Sequence, residues 1–261
     1  MLYHKKISVI IPCRNEEAAL YSLLQKMPDY VDEIVVIDNN SSDNTYRVAR
    51  ANGAKVFKEK KNTDGIGYGF AHQTGLTKVT GDYIISMDGD DTYPVNSIRE
   101  IVTYMEINSL DFVSCNRLPL EDNQAITTMR KIGIGILNSL IAFLYGYQFI
   151  DILTGMWVMK KSVVPHLNAF EGGWDYSPEV KLAALYNKEI NFSEYHIPYK
   201  LRINGNSKLN MWKTGIGHFF FIIRRRFTKD NDLNKLHFKS YALNTARAFK
   251  ALIFLLLLKI K

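Results

Sequence analysis

Cysteine is nearly absent from this chain. Only Cys13 and Cys115 occur among 261 residues, in no metal-ligand spacing. That excludes a disulfide framework and makes a reducing compartment the simpler expectation. The six histidines are scattered, and none forms a His-x-x-x-His pair. No internal repeat or low-complexity linker divides the chain. The N-terminus enters a strand pattern almost at once, so no secretory signal is expected. Carboxylates are the minority charge, 26 Asp+Glu against 33 Lys+Arg, for a formal +7. Such an excess favours an anionic partner: nucleic acid, a phospholipid surface or a phosphorylated substrate. No RNA-binding motif and no aromatic–basic interleaving supports nucleic acid. The length suits one generous α/β domain, or a domain with appendages.

The first half alternates strands and helices. Ile7 to Ile11 is β-branched and apolar, ending at Pro12, and reads as a buried strand. Glu16 to Met27 carries helical spacing at Ala18, Leu20, Leu23 and Leu24. Glu33 to Ile37 is a second strand, and Ser42 or Asp43 can cap a helix over Thr45 to Asn52. Lys55 to Phe57 reads as a third strand, Gly69 to Thr77 as a helix and Tyr83 to Met87 as a fourth strand. This order implies a parallel sheet with both faces covered.

The fourth strand runs into Asp88-Gly89-Asp90-Asp91 and then Pro94. Carboxylates at a strand's carboxyl end lie where open α/β sheets bind ligands. Asp88 and Asp90 can approach one divalent cation at a bend, and oxygen ligands of this kind suit Mg2+ or Mn2+ on a diphosphate. A solvated acidic turn is the plainer alternative. An EF-hand is excluded, because Tyr93 stands where its Gly belongs and Arg99 where its final Glu belongs.

The second half is different. Ile132 to Ile150 runs roughly 19 residues without a charge, near the length of a membrane span. It is introduced by Arg130-Lys131, closed by Asp151, and interrupted by Gly133, Gly135, Asn138, Ser139, Gly146 and Gln148. A helix lying in the membrane interface is the preferred reading, and a buried core helix the alternative. Phe249 to Leu258 is nearly all apolar, too short for a bilayer core of about 30 Å. With Lys250, Lys259, Lys261 and upstream Arg224-Arg225-Arg226, it reads as a basic, apolar membrane foot, the alternatives being a C-terminal helix docked on the core or on a partner subunit, or a truncated membrane segment.

Four segments resemble family 2 glycosyltransferases of the GT-A type, and more narrowly the polyprenyl-phosphate sugar transferases of the dolichyl-phosphate mannose synthase group. They are Val9-Ile10-Ile11-Pro12-Cys13-Arg14-Asn15-Glu16-Glu17, Val35-Val36-Ile37-Asp38-Asn39-Asn40-Ser41-Ser42-Asp43, Asp88-Gly89-Asp90, and Ile197-Pro198-Tyr199-Lys200-Leu201-Arg202 followed by Gly205-Asn206-Ser207-Lys208-Leu209. The likeness covers roughly residues 6 to 210, and its last segment is specific to the polyprenyl-phosphate branch.

The resemblance implies roles. Asp38 would accept the ribose hydroxyls, with an Asx turn as the structural alternative. Pro12, Arg14 and Glu16 would wall the base. Asp64 and Gly65 open a glycine-rich stretch that in the family closes over the nucleotide, and a simple flexible loop is the alternative. Asp88 and Asp90 would hold Mg2+ or Mn2+, which neutralises charge on the leaving nucleoside diphosphate. The family often has Gln two residues past the second Asp, where this chain has Thr92, so the third metal ligand is open. A polyprenyl phosphate is already an anion and needs cations rather than a strong base. Arg117, Arg202 and Lys208 are the catalytic candidates beside Asp90, and Arg130, Thr154 and Ser207 the acceptor-binding ones. Asp151-Ile152-Leu153-Thr154-Gly155-Met156 resembles the family's Asp-x-Thr-Ser-Gly-Phe. In relatives with a hydroxyl acceptor an acid near Glu179 serves as base.

The expectation is therefore an α/β protein: a GT-A type nucleotide-sugar-binding sheet with helices on both faces, over residues 1–210, including an interfacial acceptor helix at 131–150. Residues 211–261 would form a C-terminal basic and apolar membrane-associating segment. The expected reaction is inverting transfer of a hexose from a UDP- or GDP-linked sugar to dolichyl or undecaprenyl phosphate. It would occur at the cytoplasmic face of the cell membrane, on a peripheral or monotopic protein. The rivals are the same fold with a hydroxyl acceptor in polysaccharide or lipopolysaccharide synthesis, with Asp175 or Glu179 as base, and a basic membrane-docking module on a degenerate fold. Oligomeric state is left open.

Overall fold

The computed structural model describes residues 1–63, 65–205 and 207–228. Asp64, Asn206 and the apolar segment Phe249 to Leu258 lie outside the described residues. Seven strands form one mixed sheet: β1 Ile7–Cys13, β2 Glu33–Asp38, β3 Lys55–Lys58, β4 Tyr83–Ser86, β5 Phe112–Asn116, β6 Trp157–Lys160 and β7 Phe192–His196. Their order is β3-β2-β1-β4-β6-β5-β7. The first four run parallel. β6 runs antiparallel to both of its neighbours, and β7 is parallel to β5.

Side chains alternate across this sheet, and each face finds a cover. Ile7, Val9 and Ile11 of β1 and Ile85 of β4 face one way, against Leu20, Leu23 and Leu24 of α1 (Glu17–Gln25) and Ile98, Ile101, Val102 and Met105 of α4 (Ile98–Ile107). Ile10, Val35, Ile84, Phe112 and Trp157 face the other way. They meet Ala71 of α3 (Tyr68–Leu76) and Tyr176, Val180 and Ala184 of α6 (Tyr176–Tyr186). The short helix α2 (Thr45–Ala51) packs beside α1 and β3. It begins where Asp43 accepts the Thr45 amide, though the N-cap position itself falls on Asn44.

The uncharged run becomes α5 (Thr128–Tyr145). Thr127 caps its start, and Gly146 at φ 75° ends it. The helix neither lies alone nor is fully buried. Leu137, Leu140, Ile141 and Tyr145 pack on Phe221 and Ile222 of α7 (Met211–Phe227) and Leu182 of α6. Met129 and Ile132 remain about half exposed, as do Trp212, Ile216 and Phe220 on α7. The core-helix reading thus holds for one face of α5 and not for the other. Among the described residues, no helix is long and apolar enough to cross a membrane.

Candidate active site

Parallel strands deliver their exits to one edge of the sheet, and the antiparallel β6 delivers its entry there. The loops after β1, β2 and β4 therefore meet the segment 151–156 that precedes β6. Here lies a cavity of about 740 Å3 whose walls include Pro12, Arg14, Glu16, Asp88, Asp90, Arg117, Arg130, Arg202, Ser207 and Lys208. Ten sequence candidates converge on one space.

Asp88 and Asp90 form its floor. The chain turns just after them at Asp91, φ 60°, a left-handed conformation that aspartate tolerates. Tyr68 donates its hydroxyl to Asp88 at 3.2 Å. Burial and the charge of Asp90 push Asp88 up to about 7. Thr92, standing where the family often has Gln, is buried and donates its hydroxyl to Asp90 at 2.6 Å. It orients Asp90. Gly155 lies hard against Asp88: a Cβ there would be 2.3 Å from Oδ2.

Arg117 is anchored rather than free. Its Nε and Nη2 donate to the two carboxylate oxygens of Asp151 at 2.6 and 3.0 Å, and its guanidinium lies 5.0 Å from the Tyr199 ring centroid. Asp151 is fully buried, and burial works to raise its pKa. The charge and hydrogen bonds of Arg117 outweigh this and hold it below the usual carboxylate range. Lys181, also fully buried, donates to the carbonyls of Ile152 and Thr154, both at 2.6 Å, and to Ser177 Oγ at 2.9 Å. Burial pulls it down to about 7. These bonds, with the Tyr93 hydroxyl accepting the Gly155 amide at 2.6 Å, fix the 152–155 backbone against the acidic pair.

Two cations from the far segment close the cavity on Glu16. Arg202 Nη2 donates to both Glu16 oxygens, at 2.6 and 2.5 Å, and Nη1 reaches Asp90 Oδ2 at 3.3 Å. Lys208 donates to Glu16 and to the Asn15 carbonyl. Glu16 therefore ties the 202–208 segment to the start of α1.

Other candidates fall elsewhere. Asp38 is buried, accepts the amide of Ser41, three residues on, at 3.1 Å, and does not line the cavity. Gly65 sits in an exposed turn at φ 83°. Thr154 is fully buried; its carbonyl serves Lys181 and Ser177, and its hydroxyl faces Tyr93 and the Met156 amide. Glu179 is buried and accepts the amides of Phe170 and Glu171 at 2.8 and 2.7 Å, with Arg225 at 3.1 Å. It does not line the cavity. Asp175 pairs with His218 of α7 at 2.6 Å, and His218 does line it.

Sequence reading missed Tyr68, Tyr93, Lys181 and the Asp151 partner of Arg117. For Asp151 a signal existed: it is the first charge after a long uncharged run, and a lone buried carboxylate demands a cation. Asn39 was also missed as a staple. Its side chain accepts the Gly67 amide and donates to the Glu59 and Lys61 carbonyls, joining the end of β2 to the loop before α3.

An open α/β sheet whose β1, β2 and β4 exits meet at an acidic pair is a fold of the GT-A type. The chain belongs to glycosyl transferase family 2, whose profile matches residues 8–167. The low-salt glycan biosynthesis hexosyltransferase Agl6 of Haloferax volcanii is 25% identical over 83% of this chain, which spans 53% of that relative's length. A dolichyl-phosphate hexose transferase of the same organism is 25% identical over 80% of this chain and 89% of its own. Among solved structures, glucosyl-3-phosphoglycerate synthase from Mycobacterium tuberculosis with Mn2+ and UDP-glucose superposes with a TM-score of 0.66 at 19% identity. That match covers 85% of this chain and 79% of that one, and is a likeness of fold.

Proposed function

We propose that this glycosyltransferase moves a hexose from a nucleotide sugar to a polyprenyl phosphate at a membrane surface. One observation carries the reading. The cavity leaves Asp88, Asp90 and Arg117 and continues as an apolar groove between α5 and α7, past Met129, Ile132, Ile136, Trp212, Ile216 and Phe219. Its outer end lies beside the exposed Ile132, Trp212 and Ile216, near Arg130 and Lys131. A ligand with an anionic head and a long apolar tail fits that gradient, and the basic residues suit an anionic lipid surface. The likeness to the dolichyl-phosphate hexose transferase of Haloferax volcanii supports it. On this reading the chemistry lies in residues 1–210, α7 supplies one wall of the acceptor groove through Trp212, Ile216 and Phe219, and 211–261 also add membrane contact.

Asp88 and Asp90 fit a divalent cation. They are two neighbouring carboxylates on one cavity wall, one pushed up to about 7 by burial and by the charge of the other, a repulsion that a bound cation relieves. Mg2+ or Mn2+ bound there would supply Lewis-acid stabilisation to the departing diphosphate. Arg117, held by Asp151, presents a fixed positive group to the acceptor phosphate without being able to neutralise it. Arg202 and Lys208 bring further charge, and Arg130 and Ser207 stand at the acceptor entrance. Pro12 and Arg14 wall the nucleoside end.

A second reading has its own observation. His218 lines the cavity and is paired with Asp175 behind it, the form of an oriented base for a hydroxyl acceptor. One experiment separates the two: purified protein with UDP- and GDP-sugars, offered a short polyprenyl phosphate or the matching polyprenol. Transfer to the phosphate alone is expected. Arg202→Ala and Lys208→Ala should reduce it strongly, while Glu179→Gln, which keeps an oxygen for the Phe170 and Glu171 amides, retains most activity. If Asp175→Asn or His218→Gln is dead while both cation variants work, the acceptor is a hydroxyl.

A further inference from the structure

One loop of the cavity wall is clamped by three helices. From α6, Glu179 accepts the amides of Phe170 and Glu171. From α7, Arg225 pairs with Glu179 and Arg224 with Glu171. From α3, Gln73 donates to the Glu171 carbonyl at 2.9 Å, and the Phe70 amide donates to the Gly172 carbonyl at 3.2 Å. Contact with α3 is as close as backbone allows. A Cβ on Gly69 would lie 2.0 Å from the Glu171 oxygen, and one on Gly172 would lie 2.2 Å from the Phe70 ring.

What this mount holds out is Trp174. The indole is only partly buried and lines the cavity. It stacks on Tyr68, with ring centroids 4.8 Å apart and planes at 29°. Tyr68 in turn donates its hydroxyl to Asp88. The indole thus stands one ring away from the acidic pair. A large aromatic left partly open beside an acidic pair forgoes burial, and a rigid mount of this kind suits contact with a ligand.

We propose that Trp174 is the platform for the transferred sugar, an inference that rests on the glycosyltransferase reading above. A diphosphate at Asp88 and Asp90 carries a nucleoside at one end and a hexose at the other. The nucleoside end belongs with the β1 and β2 loops, which leaves the hexose for the Trp174 side. A pyranose has one face rich in C–H groups, and that face packs on an indole while the hydroxyls turn to the polar walls. The platform serves the donor's hexopyranose and is indifferent to the base.

Calorimetry in the presence of Mn2+ tests this with four probes: UDP, UDP-glucose, GDP and GDP-mannose. Trp174→Ala should weaken binding of the better sugar conjugate about three- to tenfold, while its nucleoside diphosphate binds within about twofold of wild type. Trp174→Leu, which still covers Tyr68, should show the same split. Trp174→Phe should restore most of the loss. If the Ala and Leu variants weaken conjugate and diphosphate alike, or neither, Trp174 only supports the loop and the platform is wrong while the transferase reading stands. If wild-type protein binds none of the four probes, the transferase reading fails and takes the platform with it.

Discussion

Replacing Gly155 with alanine probes how tightly the segment entering β6 is pressed on the acidic pair. The added Cβ would stand 2.3 Å from Asp88 Oδ2, 2.8 Å from Cγ and 2.9 Å from Oδ1. Ordinary contact begins at about 3.5 Å, so the groups must part by roughly 1 Å. Neither yields easily. Asp88 receives the Tyr68 hydroxyl. Gly155 donates its amide to Tyr93 at 2.6 Å, and the carbonyl just before it is held by Lys181 at 2.6 Å. Overpacking of this kind costs about 1–3 kcal/mol, a fall in melting temperature of about 2–10 °C for a chain of this size. The larger effect is on turnover, since a 1 Å misplacement at a reacting centre costs on the order of 10²-fold. Initial rates of nucleoside diphosphate release, measured beside a thermal melt, read both. A variant with kcat within about threefold of wild type and an unchanged melt would show that Asp88 is not fixed by this contact.

Gly135 is the counter-case: it lies inside α5, and nothing within 4 Å would meet a Cβ there. Gly135→Ala should raise stability by about 0.5–1 kcal/mol with activity unchanged; a lowered melting temperature would contradict the open space. Arg117→Met should cost about 3–5 kcal/mol at neutral pH, because Asp151 is left buried without its cation. The sign with pH follows from Asp151. In the wild type its pKa is held low, so the pair's stabilisation is present above the ordinary carboxylate range and lost as pH falls through the folded value. In the variant burial raises Asp151, which neutralises on acidification, so the deficit should shrink towards pH 4. A deficit constant between pH 4 and 8 in urea titrations would exclude this account.

Legibility in the sequence followed burial. β1, β2 and β4 sit inside the sheet with helices on both sides, so their residues form unbroken apolar runs ending in polar turns. The edge strand β3 was legible as well, framed by turn residues. β5, β6 and β7 were not read. β6 has four residues including Trp157 and Lys160, and β7 is an edge strand with the half-exposed sequence Phe-Ser-Glu-Tyr-His. β6 offers only the short apolar stretch Met156 to Met159, unmarked by any flanking motif, and β7 shows neither a run nor a clean alternation. Within the site, Asp88 and Asp90 were legible because motif and strand exit coincide. The links from Glu16 to Arg202 and from Arg117 to Asp151 were not, because they join residues far apart in the chain and only the folded sheet brings them together. Glu179 carried an acidic signal whose meaning changed on folding, from candidate base to anchor of the 170–171 amides.

The place of β6 has a consequence for assembly. It stands between β4 and β5, yet both precede it in the chain. The sheet β3-β2-β1-β4 can form once the ribosome has released residues up to Ser86, and it then presents β4 as an open edge with unpaired amides and carbonyls. β5 cannot dock on that edge in its native place, because the slot is reserved for a strand not yet made. Until Trp157–Lys160 emerges, the nascent protein is exposed to mispairing at that edge, the characteristic hazard of long-range strand pairing. The strand that ends the hazard also carries Gly155 and the Asp151 clamp at its entry, so the last pairing to form in the centre of the sheet is the one that completes the floor of the cavity.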